Sequence, residues 1–406
     1  MSSTSPRQPT LPRIATTPNT VMSHRLKILH IISSWQSGVG DELSAFASRL
    51  SRDEFESNIC VLAGSNVRQI SGVPTTTLGL RWSFDFSTYL GVRRVLRRFR
   101  PDVIHTWDET AQFYGTLHNG TQRVIAEKRN SEVPAGMLQK YLDKKTHRFI
   151  VPQKISDCPK TVIIPAAAVP MSYFEPIPAE ELLTKLDFPL VEPSGGYYPV
   201  FQPQYEPARR NYKPKPPHPI PFLIGIVSPL CSEHRVLDAL WVFETFNHVN
   251  LNFHAFIIGD EKDREQVLRY RDRWKLFSRV HFLGNRREAH RLLPSFDALL
   301  HLSPSAEHSG TILSAMSCGV PVIALESPES REYILDGTTG FLIPYEGADE
   351  GASRFYRRTA AKKLLYLLEN QELRRSMQAA AEDRVAKEFN FDTAVQKRTA
   401  VYTALG

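Results

Sequence analysis

Residues 296–344 constrain the fold of this chain more than any other segment. An apolar run of strand length, 297–302, is followed by a loop that ends in Ser309-Gly310, and small residues over 311–318 then predict a helix. A second apolar strand, an acidic turn and a third strand complete the segment. Apolar strands that alternate with helices predict a parallel sheet covered on both faces.

The start of the helix predicted after Ser309-Gly310 is suited to a phosphorylated ligand. The first N–H groups of a helix have no partner within the helix, and the helix dipole also stabilises an anion there. An ordinary strand-loop-helix unit without a ligand gives the same local pattern, so the phosphate site is a hypothesis at this stage.

The rest of the chain repeats the alternation in two halves, separated by a segment that holds 14 of the 29 prolines. The length of 406 residues fits two domains at roughly 150 residues or more each. Predicted strands cover 27–32, 57–62, 73–78, 102–105, 123–126, 148–151, 222–227, 252–259 and 280–283. Predicted helices cover 43–50, 86–99, 236–246 and 391–405.

These patterns predict an α/β chain with two doubly wound, Rossmann-like domains that face each other across a ligand cleft. We expect a disordered tail over 1–24, an N-terminal domain over 25–164, a Pro-rich linker or insertion over 165–221 and a C-terminal domain over 222–388. A terminal helix over 389–406 either caps the second domain or crosses back to the first.

Charge and cysteine content narrow the class of protein only in part. The net charge of +7 suits an anionic ligand, a phospholipid surface or nucleic acid, and selects none of them. Arginines over 93–100 lie at helical spacing, which fits either a solvated helix face or contact with a membrane surface. Four well-separated cysteines without metal-ligand spacing predict a reduced, cytoplasmic chain. No apolar run approaches about 18 residues, so no membrane span is expected.

Several segments together resemble retaining glycosyltransferases of the GT-B fold, of the family four or group 1 type. They are KILHIISSWQSGVGDELSAFASRL, RPDVIHTWDETAQFYGTL, RVHFLGNRREAHRLLPSFDALLHLSPS, AMSCGVPVIA and EYILDGTTGFLIP. The resemblance covers about 25–130 and 222–405. It implies that the C-terminal half binds a nucleotide-sugar and that the N-terminal half takes the acceptor.

The sequence departs from this family at the donor site. The family pattern has an Arg, and a Lys five residues later, that grip the donor diphosphate; here these positions fall on Pro229 and His234. Arg235 is the candidate replacement, because histidine is only partly cationic at neutral pH. The family's two glutamates fall on Ala306, or Glu307 after a one-residue slip, and on Ser314. The donor motifs are therefore degenerate.

The resemblance assigns the remaining candidate residues. His105 and Glu307 are the expected catalytic residues, with His105 at the cleft end of its strand near the transferred sugar. Glu332 is expected first as a helix N-terminal residue and second as a ligand contact, and Gly38 and Gly40 either approach the donor phosphates or form a tight turn. The donor-binding residues are expected to be Gly38, Gly40, His234, Arg235, Gly284, Gly310, Thr311, Ile312, Ser314 and Glu332.

The resemblance implies a cytoplasmic hexosyltransferase of polysaccharide biosynthesis. It would move a hexosyl unit from a nucleotide-sugar, with UDP-sugars favoured, to a hydroxyl of a glycan or lipid-linked acceptor with retention. No metal is expected because no DxD cluster is evident, no nucleic acid partner is expected, and peripheral membrane contact stays open. The alternatives are a catalytically degenerate binding or scaffold protein, and a sugar-phosphate epimerase of the same fold.

Overall fold

In the computed structural model the chain forms two compact units, Met1–Ala166 with Asp392–Gly406, and Ala167–Phe391. The residues that the structure describes are 25–35, 38–64, 67, 70–80, 85–117, 122–127, 142–151, 160–164, 167–169, 176–178, 221–230, 232–248, 252–259, 263–284, 289–304, 310–345, 347 and 350–405. The predicted tail, most of the Pro-rich segment, Glu307, Cys158 and Cys231 lie outside this part of the chain. The predicted domain boundaries stay predictions.

The first unit is built around a seven-stranded parallel sheet. Its strands are β1 (Leu26–Ser34), β2 (Phe55–Ala63), β3 (Thr75–Thr77), β4 (Val103–Thr106), β5 (Arg123–Glu127), β6 (Arg148–Val151) and β7 (Thr161–Ile163). The order is β3-β2-β1-β4-β5-β6-β7, so the direction of winding reverses between β1 and β4. Its described helices include α1 (Gly38–Arg49), α2 (Phe86–Phe99) and α3 (Glu109–Thr116).

Local sequence explains these elements. Apolar residues at consecutive positions of β1, such as Ile28 and Leu29, are both fully buried, as expected for a strand covered on both faces. Helix α2 begins where the Asp85 side chain accepts a hydrogen bond from the Ser87 N–H at 2.8 Å. The helix ends at Arg100, whose positive φ of 51° closes it.

The second unit contains a six-stranded parallel sheet in the order β10-β9-β8-β11-β12-β13. The strands are β8 (Phe222–Val227), β9 (Phe253–Ile258), β10 (Val280–Gly284), β11 (Ala298–His301), β12 (Val322–Leu325) and β13 (Gly340–Ile343). The helices are α4 (Val236–His248), α5 (Arg264–Arg273), α6 (Ala289–Leu292), α7 (Gly310–Ser317), α8 (Pro328–Tyr333), α9 (Glu350–Glu369) and α10 (Gln371–Glu388). Winding reverses between β8 and β11.

The structure confirms the predicted fold class of two parallel-sheet α/β domains. The last helix, α11 (Phe391–Leu405), groups with the first unit from Asp392 onward. One prediction is incomplete: a turn that contains Asp336 does precede β13, but the short helix α8 lies between β12 and this turn. Ser327 and Ser330 form a reciprocal capping box and Pro328 occupies its first turn, so a six-residue segment without apolar periodicity becomes helical.

Candidate functional site

The carboxyl ends of β8 and β11 form the most site-like region of the second unit. These strands are neighbours at the point where winding reverses, which is where open α/β sheets bind ligands. The structure has a small crevice at this edge, whose volume of about 10 Å³ holds about one water molecule. Its lining includes Ser228, His234, Arg235, Ala239, His301 and Leu302.

His234 follows β8 in a short 3-10 turn and lies in the wall of the crevice. Its side chain is buried, and its Nδ1 lies 2.8 Å from the hydroxyl oxygen of Ser303, which comes just after β11. The two strand ends are therefore joined by a direct polar contact. Sequence reasoning missed Ser303 because its partner lies 69 residues away in the chain.

Arg235, the predicted replacement cation, is held by side chains of the same unit. Its guanidinium donates to the Tyr356 hydroxyl at 2.9 Å and to the Tyr345 hydroxyl at 2.7 Å, and lies 3.5 Å from Asp238. Burial alone would lower the pKa of Arg235, but the two tyrosines and Asp238 raise it, so the group stays cationic. Its contact with a donor phosphate remains a prediction.

Helix α7 begins at Gly310, after the end of β11. Gly310 is exposed, and a Cβ added there has no described atom within 4 Å. Thr311 is partly exposed, whereas the Ile312 side chain is buried, which leaves its backbone as the available part. The Ser314 hydroxyl donates to the Gly310 carbonyl at 3.0 Å, as small helix residues do.

Gly284 ends β10 with a positive φ of 67° and accepts a hydrogen bond from the Gly259 N–H at 2.9 Å. Sequence reasoning missed Gly259 as a site residue, although it ends a predicted strand. Its φ is 150°, and a Cβ there would clash with the carbonyl oxygen of Ser228 at the crevice. Gly259 thus allows the close approach of the β8 and β9 ends.

Glu332 is not at a helix N-terminus, contrary to the first expectation. It is the fifth of six residues in α8, and Glu329 occupies the first turn. Burial and the neighbouring Glu329 raise the pKa of the Glu332 carboxyl, while Arg384 lowers it. A ligand contact by Glu332 stays a prediction.

In the first unit His105 does not lie at an open edge, so the expectation that it faces a cleft is not met. Its ring is fully buried, with Nδ1 2.6 Å from the Tyr402 hydroxyl and Nε2 3.4 Å from a Glu127 oxygen. Burial lowers the pKa of His105 although Glu127 raises it, so the ring is neutral. Helix α11 covers it through Tyr402. A catalytic role for His105 stays a prediction and requires Tyr402 to move.

Arg398 completes this buried cluster. Its guanidinium contacts Glu127 at 2.8 Å and Glu42 at 2.7 Å, and lies over the ring of Trp107 at 5.5 Å. Glu42 belongs to α1, which begins at Gly38. Gly40 lets this turn close, because a Cβ there would approach the Trp35 carbonyl oxygen to 2.7 Å, which favours the structural interpretation of Gly40. Nothing in the local sequence marked Arg398 or Tyr402.

No three histidine, cysteine or acidic side chains in the described part of the chain lie together as metal ligands would. None of its helices combines the length and the apolar character that crossing a bilayer needs.

Part of the second unit matches a known protein family. Residues 221–359 match the family described as Glycosyl transferases group 1. The chain is 29% identical over 168 residues to N-acetyl-alpha-D-glucosaminyl L-malate synthase of Bacillus anthracis, which covers 41% of this chain and 42% of that protein. It is 31% identical over 120 residues to trehalose synthase of Pyrococcus horikoshii, which covers 30% of this chain and 26% of that protein. The matches thus span less than half of each relative.

Solved structures match almost the whole chain. A glycosyltransferase from Rickettsia africae gives a TM-score of 0.69 at 16% identity, over 94% of this chain and 98% of its own. Anabaena HepE in complex with UDP-glucose gives a TM-score of 0.72 at 16% identity, over 94% of this chain and 100% of the HepE chain. At these identities the likeness shows the fold alone. Residues 221–359 therefore match a group 1 glycosyltransferase domain, and the chain as a whole has two parallel-sheet α/β domains like those of its GT-B structural neighbours.

Proposed function

We propose that this protein is a glycosyltransferase that moves a hexosyl unit from a nucleoside-diphosphate sugar to a hydroxyl of a glycan or lipid-linked acceptor, with retention. The observation that carries the proposal is the exposed start of helix α7, which follows β11 where winding reverses beside β8. The small crevice with His234 and Arg235 in its wall lies at the same strand ends and is itself too small for a nucleotide. Helix α7 follows β11 and begins with the exposed Gly310. A UDP-sugar is the favoured donor, in line with the structural similarity to HepE, which was solved with UDP-glucose.

The reaction requires negative charge on the departing diphosphate to be stabilised. In our proposal the N-terminal amides of α7 bind the phosphates, helped by Arg235 and His234, and no metal ion is needed. Gly310 has no side chain, which leaves room for a phosphate group. Because a lost oxyanion donor costs about 3 to 4 kcal/mol, the replacement of two fixed cations by Pro229 and His234 predicts slow turnover.

A second candidate is a protein that binds a nucleotide-sugar without transferring the sugar. Two contacts favour it: the Arg235 guanidinium is already bonded to Tyr345 and Tyr356, and the Ser314 hydroxyl is bonded to the helix backbone. Either group would have to exchange a partner to reach a ligand. This candidate predicts saturable nucleotide binding with no product.

The test is incubation of the full chain with UDP- and GDP-sugars, with and without glycan and lipid-linked acceptors. The proposal predicts release of the nucleoside diphosphate together with a glycosylated product. Saturable binding without turnover under every donor would support the second candidate. Conversion of a free nucleotide-sugar without any acceptor would instead indicate an epimerase.

Two sets of substitutions test whether the donor phosphates bind beside Arg235 and His234. Arg235→Met is expected to lower turnover by about tenfold or more, because a cation near a developing anion contributes at least 1.4 kcal/mol. The matched control is Arg269→Met, on the exposed side of α5. If Pro229→Arg with His234→Lys creates donor binding that the natural chain lacks, both the transfer proposal and the second candidate fail, and a scaffold protein that has lost donor binding is left.

A further inference from the structure

Helix α2 presents a continuous solvent-exposed stripe, which we call the α2 face: Phe86, Leu90, Arg93, Arg94 and Arg97. At 3.6 residues per turn these side chains fall within roughly 100° of arc. The opposite side of the helix packs into the core of the first unit through buried residues such as Val92 and Leu96. The helix is therefore anchored on one side and open on the other.

The first half of the α2 face is apolar. Phe86 is 63% exposed and Leu90 is 41% exposed, and they are neighbours at i and i+4. The Phe86 ring stacks on Tyr89 with centroids 5.8 Å apart. Two large apolar side chains left side by side in water indicate a surface that is covered under some condition.

The second half of the α2 face is basic and uncompensated. Arg93, Arg94 and Arg97 are exposed, as is Arg98 beside the face, and none of the four forms an ion pair with any described residue. The helix contains no acidic residue, and the preceding Asp85 serves as its N-cap. Helix α10 differs, because its exposed Lys387 pairs with Asp383 at 2.7 Å. Such a bare row of arginines attracts a negatively charged surface.

We propose that the α2 face binds the surface of an anionic phospholipid bilayer. The arginines contact headgroup phosphates, and Phe86 and Leu90 enter the boundary between headgroups and acyl chains, with the helix lying in the plane of the interface. Charge alone would fit any polyanion, but the exposed apolar pair on the same stripe gains nothing from the phosphates of a duplex. The proposal does not depend on sugar transfer.

The experiment is co-sedimentation of the full chain with phosphatidylcholine vesicles that contain about one third phosphatidylserine, and with pure phosphatidylcholine vesicles, at about 0.1 M salt. Binding to the anionic vesicles alone is expected. Each basic side chain near such a surface strengthens binding roughly fivefold. The double variant Arg93→Gln with Arg97→Gln should therefore weaken partitioning onto the vesicles about 25-fold. The control Arg269→Gln with Arg273→Gln removes the same charge from exposed positions of α5 and should have no effect.

A second variant separates lipid from other polyanions. Phe86→Ser with Leu90→Ser removes only exposed side chains, so the melting temperature should hold, yet vesicle binding should fall at least tenfold while any binding to short duplex DNA is unchanged. The proposal is overturned if the natural chain does not bind anionic vesicles, if the α5 control loses as much as the α2 variant, or if the Ser variant binds vesicles as well as the natural chain.

Discussion

At the scale of single residues, glycines with similar backbone needs have very different surroundings. Gly259 and Gly64 both have positive φ, at 150° and 99°. A Cβ at Gly259 would meet the backbone of Ser228, whereas a Cβ at Gly64 has no described atom within 4 Å. Only the first glycine also serves to bring two strand ends together at the crevice.

We predict that Gly259→Ala destabilises the protein by about 3 kcal/mol or more, because a backbone atom cannot move aside as a flexible side chain can. Gly64→Ala, which adds only backbone strain, should cost about 1 to 2 kcal/mol. Urea unfolding of both variants measures the difference. Equal costs at the two positions would show that the close approach to Ser228 is not part of the folded protein.

A second residue-scale prediction concerns His254 and His281 on neighbouring strands, whose Nδ1 and Nε2 lie 2.9 Å apart. Burial, and after it the neighbouring His254 and Arg271, lower the pKa of His281 to about 3. A histidine whose pKa is lower in the folded protein than its unfolded value near 6.5 stabilises the fold fully above about pH 6.5. This stabilisation falls as the pH drops below about 6.5. Between pH 6.5 and 5, His281 should account for a loss of up to about 2 kcal/mol.

The measurement is the free energy of unfolding of natural chain and His281→Gln over that pH range. The variant does not titrate there, so its curve should be flatter than that of the natural chain. Other buried histidines, including His30 and His105, affect both proteins equally. Parallel curves would mean that His281 is not held neutral in the fold.

The local structure of candidate site residues could be predicted where it depends on neighbours in the sequence. The helix start at Gly310 was predictable, because a glycine after an apolar strand and before small residues marks such a start. The environment of Arg235 could not be predicted, because Tyr345 and Tyr356 are 110 and 121 residues away. His105 shows the same limit: its strand was predicted, but nothing nearby indicated that Tyr402 would cover it.

At the scale of elements, continuous apolar strands and amphipathic helices were predictable, and α2 and α11 have the predicted bounds. Helix α8 was not, because its stability comes from side-chain caps rather than an apolar stripe. The attachment of α11 to the first unit also depends on distant partners, since Arg398 lies 271 residues from Glu127.

We predict that Arg398→Met destabilises the first unit by about 3 to 5 kcal/mol, because Glu127 and Glu42 lose the cation that compensates them in a buried place. Adding Glu127→Gln and Glu42→Gln should restore part of the loss. Lys397→Met, at an exposed position of the same helix, is the control and should stay within about 0.5 kcal/mol. Urea unfolding followed by circular dichroism tests all three. A loss in the control as large as that in Arg398→Met would assign the effect to helix propensity.

At the scale of the whole molecule, the two sheets connect their strands in the same order, but the two units differ at the place where winding reverses. In the first unit that place is filled by buried His105, Trp107, Tyr402 and Arg398. In the second unit it holds a crevice for about one water molecule, and the helix after β11 starts with the exposed Gly310, which leaves the helix N-terminus open to an anion. A ligand with a diphosphate is therefore expected in the second unit.

The most direct test is a calorimetric titration of UDP into the natural chain, Gly310→Ala and Gly310→Tyr. A Cβ at this position has no described neighbour within 4 Å, so both variants should keep their melting temperature. We predict saturable binding to the natural chain, a change of less than about threefold for Ala, and a loss of at least tenfold, about 1.4 kcal/mol, for Tyr, whose ring would occupy the phosphate position. Failure of UDP to bind the natural chain, or equally tight binding to the Tyr variant, would contradict a donor site at the start of α7.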